Sequence, residues 1–110
     1  MANIFKLKTK TGATEVAGTA QTIFTATTKT VLVGLSVANL ISNSITIDIQ
    51  MESATGTNAN VYIGKGLPIP SGSALNALTG KIIMEVNDIL KITSSADSSI
   101  DIALSLMEIT

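Results

Sequence analysis

The chain has 110 residues, 45% of them hydrophobic and 14% charged, with a formal net charge of −1. That length suits one modest core, and the composition lies far from that of a disordered chain. Near-zero charge and 3% aromatics argue against nucleic acid or an anionic membrane surface as partner, and with no cysteine and no histidine, disulfides, thiolate metal sites and the usual nucleophile–base pairs are absent.

Asn3 to Lys8 sets Ile4, Lys6 and Lys8 against Phe5 and Leu7 and reads as an edge strand or an extended arm within residues 1–10. Lysines on such an edge discourage pairing with other chains. The opening residues lack an apolar run and do not read as a secretory signal. Gly12 and Gly18 punctuate the next segment, in which Ala13 to Ala17 and Gln21 to Ala26 read as two short strands. Thr27 to Thr30 leads into the most regular part of the chain.

In Val31 to Glu52, Ile45, Ile47, Ile49 and Met51 alternate with Thr46, Asp48, Gln50 and Glu52, the period of a strand with one buried face. Upstream, Val31, Val33, Leu35 and Val37 share one face and Leu32, Gly34, Ser36 and Ala38 the other. Ser42-Asn43-Ser44 supplies turn chemistry between the two halves, so this stretch predicts a β-hairpin at the centre of an antiparallel sheet. Thr30 to Ile47 carries no charge, but its polar interruptions and β-branched content suit strands better than a membrane span.

Residues 53–60 form the clearest loop. Val61 to Ile63 resumes a strand that Gly64-Lys65-Gly66 breaks, and Leu67-Pro68-Ile69-Pro70 must be extended. After Ser71-Gly72-Ser73, the segment Ser73 to Leu78 reads as a short strand or a single helical turn. Ile82 to Val86, Ile89 to Thr93 and a last strand with Ile100, Ile102, Leu104 and Leu106 on one face complete the chain. About eight short strands, with no helical period and no internal repeat, predict an all-β fold over residues 1–110: an antiparallel β-sandwich of jelly-roll or Greek-key order, with a single curved barrel as the alternative. Alternation does not give strand order.

Asp48, Glu52, Asp97 and Asp101 are the carboxylates that could pair for acid–base work, though Asp48 and Asp101 fall on the solvent faces of strands. Asp97-Ser98-Ser99-Ile100-Asp101 gathers oxygen ligands but lacks the spacing and glycine of a calcium loop, and turn chemistry explains it as well. Gly64-Lys65-Gly66 is too short for a phosphate loop, and no Ser or Thr follows its lysine. The expectation is a protein that is not an enzyme, with no cofactor and no catalytic, cofactor-binding or metal site.

Several segments carry a family likeness. Pro68-Ile69-Pro70-Ser71-Gly72-Ser73, the Asp88 strand with Lys91 leading to Ser94-Ser95, the Glu108-Ile109-Thr110 end, the early MANIFK, and Val37-Ala38-Asn39 with a Ser-rich turn before Ile45-Thr46-Ile47-Asp48 together cover most of the chain. In them it resembles small virion structural proteins of tailed bacteriophages, of the marine and cyanobacterial phage type. The resemblance implies a non-enzymatic β-sandwich in many copies on the capsid, as decoration, or on the neck or tail; with no secretory signal read in the opening residues, its assembly is expected in a host cytoplasm. It brings no catalytic or ligand residues.

Low charge points the same way, since apolar surface left on so small a domain is expected to meet another copy, although Ser, Thr and Asn could also solvate it. The expected partners are sister copies and other phage structural proteins, met through Asn3 to Lys10, Ser53 to Asn60 and Lys65 to Ser73, with the first segment adding a strand to a neighbour. The alternative is a carbohydrate- or receptor-binding module, for which only Phe5, Phe24 and Tyr62 are available as aromatic contacts. A hydrolase using Asp97 and Asp101 is a third reading.

Overall fold

The computed structural model describes residues 3–11, 16–53, 58–78, 80–97 and 99–109. Within them the alternating segments form nine strands: β1 (Asn3–Thr11), β2 (Gln21–Thr25), β3 (Thr30–Asn39), β4 (Ile45–Glu52), β5 (Val61–Ile69), β6 (Ala74–Asn76), β7 (Ile82–Met84), β8 (Ile89–Ser94) and β9 (Ile100–Ile109). No helix long and apolar enough to cross a membrane is found among the described residues.

The strands lie in two antiparallel sheets, one ordered β1-β9-β3-β6 with β7 also on β3, the other ordered β2-β8-β4-β5. The chain is one long hairpin rolled up: β1 pairs with β9, β2 with β8, β3 with β6 and β7, and β4 with β5. Contacts of β3 with β9 and of β4 with β8 then close the two sheets. This is jelly-roll order. Because β6 and β7 occupy successive stretches of one edge, nine strands fill eight positions.

The core lies between the sheets. Leu32, Leu35, Val37, Met84, Ile100, Leu104 and Leu106 of the first sheet meet Ile47, Ile49, Ile69, Leu90 and Ile92 of the second, and all are buried. Fully burying each such side chain is worth roughly 1.5–3 kcal/mol. β4 and β9 bury every second residue as their sequences predict.

The hairpin expected over Val31 to Glu52 does not form. β3 and β4 stand in different sheets, and residues 40–44 carry the chain across the sandwich rather than around a tight turn. Buried Asn39 holds this crossing, donating from Nδ2 to Asn43 O (2.8 Å) and Ile69 O (3.0 Å) and accepting from Ile41 N (3.0 Å). Two amphipathic strands satisfy their apolar faces equally well side by side or face to face. Among the described residues the sequence-adjacent pair that does form a hairpin is β4 and β5.

The expected faces of β3 also change partway along. The register with β9 shifts between Leu32 and Gly34, and this bulge leaves Thr30, Leu32, Leu35, Val37 and Asn39 inside while Val33 is exposed. One extra residue reverses the parity of everything after it.

Gly64-Lys65-Gly66 does not break β5 but bulges it, with Leu67 opposite Ile47 and Gly64 opposite Ile49. Gly66 has φ +65°, and its N–H donates to Asp48 Oδ1 at 2.7 Å. Pro68 is tolerated because β5 is an edge strand. Gly66→Ala is expected to lower stability by about 1–2 kcal/mol, the left-handed penalty for a residue with a Cβ, read as a lower urea midpoint with an unchanged m value. Segment Ser73 to Leu78 contains the short strand β6. Of the strand expected over Ala13 to Ala17, residues 13–15 lie outside the described residues, and Val16 and Ala17 lie outside any strand.

Candidate functional site

The feature that stands out is the setting of β1. Its nine residues run in unbroken register with β9, Asn3 opposite Ile109 through Thr11 opposite Asp101. Residues directly opposite in an antiparallel pair share a face. Lys6, Lys8 and Lys10 therefore lie on the same side as Leu106, Leu104 and Ile102, toward the sandwich interior, while Phe5 and Leu7 lie with Met107 and Ser105 on the outer face.

On a strand serving only as a solvated edge, the opposite setting would bury the apolar side chains. Here Phe5 is 76% and Leu7 67% exposed. The register continues Phe5 into a row across the sheet, Phe5 to Met107 to Val31 to Ile83, with Ile83 60% exposed. Bulged Val33 and half-buried Ile109 adjoin it. The next rows are small: Leu7 to Ser105 to Gly34, then Thr9 to Ala103 to Ser36 to Asn76. Over them lies a depression of about 360 Å³ lined by Gly34, Leu35, Ser36, Asn76, Ala103 and Ser105.

The inward lysines line a second opening. Lys8 and Lys10 face Thr22 to Thr25 of β2 across a cleft of about 460 Å³ where the two sheets part. Lys6 is held by Glu108 at 2.8 Å, a carboxylate buried on the same inner face. Inward charges on an edge strand oppose strand addition, the role expected of these lysines. The other edges are blunted differently: β2 is short and bulged, β5 carries its bulge and Pro68, and β6 and β7 are two short pieces.

The carboxylates are dispersed. Asp48 pairs with Lys65 at 3.5 Å and Glu52 with Lys91 at 3.0 Å, both bonds along or across sheet strands. Asp97 accepts the Ala17 N–H at 2.6 Å, tying two loops together, and Asp101 is exposed on β9. Ser98 lies outside the described residues; Ser99 is buried, its hydroxyl 2.7 Å from that of Ser94. Among the described residues no three acidic side chains converge on a possible ion site. A further carboxylate, Asp88, is buried beneath the turn that Asn87 makes with φ 73°, accepting from Glu85 N (3.0 Å) and Ser53 Oγ (3.2 Å). These bonds give it a structural task.

The three aromatics do not form a platform. Phe5 is on the outer face of the first sheet, Phe24 is half-buried in β2, and Tyr62 on β5 lies under Lys65 Nζ, 4.3 Å from its ring centre. Of the expected contact segments, Asn3 to Lys10 is β1, Lys65 to Ser73 is the bulged end of β5 and its turn, and residues 54–57 of Ser53 to Asn60 lie outside the described residues. Sequence reading found the amphipathic character of β1 but missed Met107, Val31 and Ile83 as its neighbours, since only register brings them into one row.

No family model and no curated protein matches the chain. Among solved structures it is similar to a chain of the Bacillus endospore appendages, described as a novel family of disulfide-linked pili, at 14% identity and a TM-score of 0.49 over 97% of this chain and 86% of that one. It is also similar to a chain in the structure of infectious bursal disease virus Gx strain, at 14% identity and a TM-score of 0.50 over 96% of this chain and 33% of that one, so it spans about a third of the viral chain. What the viral chain shares with this protein at that identity is the fold, two antiparallel sheets packed as a sandwich.

Proposed function

We propose that the chain is a non-enzymatic structural protein of a bacteriophage particle, present in many copies on the capsid, as decoration, or on the neck or tail, and assembled in the host cytoplasm. The observation that carries this reading is the setting of β1, which turns Phe5 and Leu7 outward, Phe5 at the head of an uncharged apolar row, and its lysines inward. Contiguous apolar surface of this kind marks an interaction face. Sister copies and other particle proteins are the partners that would cover it. The jelly-roll order, the dispersed and already engaged carboxylates, and the family resemblance of the β1, β3, β4, β5, β8 and β9 segments support the same reading.

Light scattering on the purified protein, with mass spectrometry of intact particles, tests it. Defined oligomers and peptides from this chain in the particle are expected. A strict monomer absent from particles would sink the proposal.

A further inference from the structure

We infer that a second copy of this chain covers the outer face of the β1-β9-β3-β6/β7 sheet, packed face to face about a two-fold axis, with Phe5 of each copy seated in the depression over Gly34 and Ser36 of the other. The inference rests on the structural-protein reading above and specifies its partner.

Three observations select a sister copy. First, the face suits itself electrostatically. Its outward residues on β1, β9, β3 and β7 include one charge, Asp101, at the end away from the apolar row, and beyond the other end exposed Lys29 and half-buried Glu85 pair with each other at 3.8 Å. Two such faces meet without opposing charges, as an isologous contact requires.

Second, the face carries both a projection and a recess. Phe5 stands 76% exposed in the Met107 row, and the recess of about 360 Å³ lies over the Ser105 and Ala103 rows. Those rows are two and four residues along β9, or roughly 7 and 13 Å at the rise of an antiparallel strand. A two-fold axis between projection and recess places each over its counterpart. Gly34 leaves the recess open, since a Cβ built there meets nothing within 4 Å.

Third, the competing homotypic contact is disfavoured. In a two-fold antiparallel ladder of β1 on β1, opposite residues share parity, so Lys6, Lys8 and Lys10 of both copies crowd one side. Face packing leaves the lysines clear. Four strands by nine residues give the whole face on the order of 550 Å² of flat area; at the near-perpendicular crossing this axis imposes, on the order of 350 Å² of it overlaps before side-chain relief, a small contact beside the ~800 Å² per partner of a standard interface.

The absence of native cysteine makes cross-linking decisive. In the variant Phe5→Cys/Ser36→Cys, the two positions within one copy are two strand spacings and four residues apart, about 16 Å and beyond the reach of a disulfide, which needs Cα atoms within ~7 Å. Oxidation is therefore expected to give a covalent dimer, whereas Phe5→Cys alone is expected to stay largely uncross-linked. Phe5→Ser and Gly34→Leu, one removing the projection and one filling the recess, are each expected to weaken self-association by roughly 30-fold or more, the scale of an interface hot spot, in sedimentation equilibrium. Neither should change the monomer's far-UV spectrum.

If the wild type self-associates but both variants leave association unchanged, or the single cysteine cross-links as well as the pair, this packing is wrong and the structural-protein reading stands. If the wild type is monomeric at every concentration, this packing is wrong whatever the particle contains; its absence from intact particles as well removes the reading above.

Discussion

Changing Asn39 to alanine is expected to destabilise the fold by about 2–4 kcal/mol, because each buried polar group left without a partner costs about 1–3 kcal/mol. Asn39 is 5% exposed, and its amide serves three backbone groups from three places: Asn43, Ile41 and the end of β5 at Ile69. Its own backbone N–H bonds Ser73 O at 2.9 Å, so the side chain lies where the β3–β4 crossing meets the turn after β5. Water can reach part of this region, since Asn43 is exposed, which keeps the expected cost below the sum of three full penalties. Leucine fills the volume but restores none of the bonds. Asn39→Leu should therefore fall near alanine rather than near the wild type. Equilibrium urea unfolding checks this, and a loss below about 1 kcal/mol, the worth of one ordinary net hydrogen bond, would contradict the role given to the side chain.

A neighbouring pair of substitutions on β3 is expected to differ by several kcal/mol despite being adjacent in sequence. Leu32 is fully buried between the sheets, and Leu32→Ala should cost about 2–5 kcal/mol, combining lost transfer energy with a residual cavity. Val33 is 43% exposed at the bulge, and Val33→Ala should stay within about 0.5 kcal/mol of wild type, as surface changes do. Unbroken alternation predicts the reverse, with Val33 sharing the buried face of Leu35 and Val37. Thermal unfolding of the two variants distinguishes these cases. For a domain of this size 1 kcal/mol moves Tm by several degrees, roughly 4–8 °C for 60–100 residues. Measured at a concentration where the protein is monomeric, a large loss at Val33 with little at Leu32 would show the bulge to be misplaced.

The surface that supports the functional proposal was half legible. Lys6, Lys8 and Lys10 alternating with Phe5 and Leu7 announce a two-faced strand at the amino end. Nothing in that segment says which face looks outward, because the answer comes from β9, a hundred residues away, whose buried Leu104 and Leu106 are opposite Lys8 and Lys6. Had the pairing slipped by one residue, Phe5 and Leu7 would turn inward and the outer face would be basic. The carboxylates followed the same rule. Asp48 was recognisable as a residue beside a strand's apolar face, but its bond to the Gly66 N–H depends on a bulge in the neighbouring strand.

By itself the sequence determined the local matters: an all-β chain, where most strands run, and which side chains of β4 and β9 are buried. These follow because a strand's period of two is written in consecutive residues and needs no partner to be read. The tertiary structure alone decided that β3 and β4 face each other across the core, that Val33 lies outside, and that Phe5 joins Met107, Val31 and Ile83 in one row on the outer face. Those outcomes depend on which distant strands share hydrogen bonds and in what register, and two amphipathic strands bury their apolar faces equally well in several arrangements until the rest of the chain is packed around them.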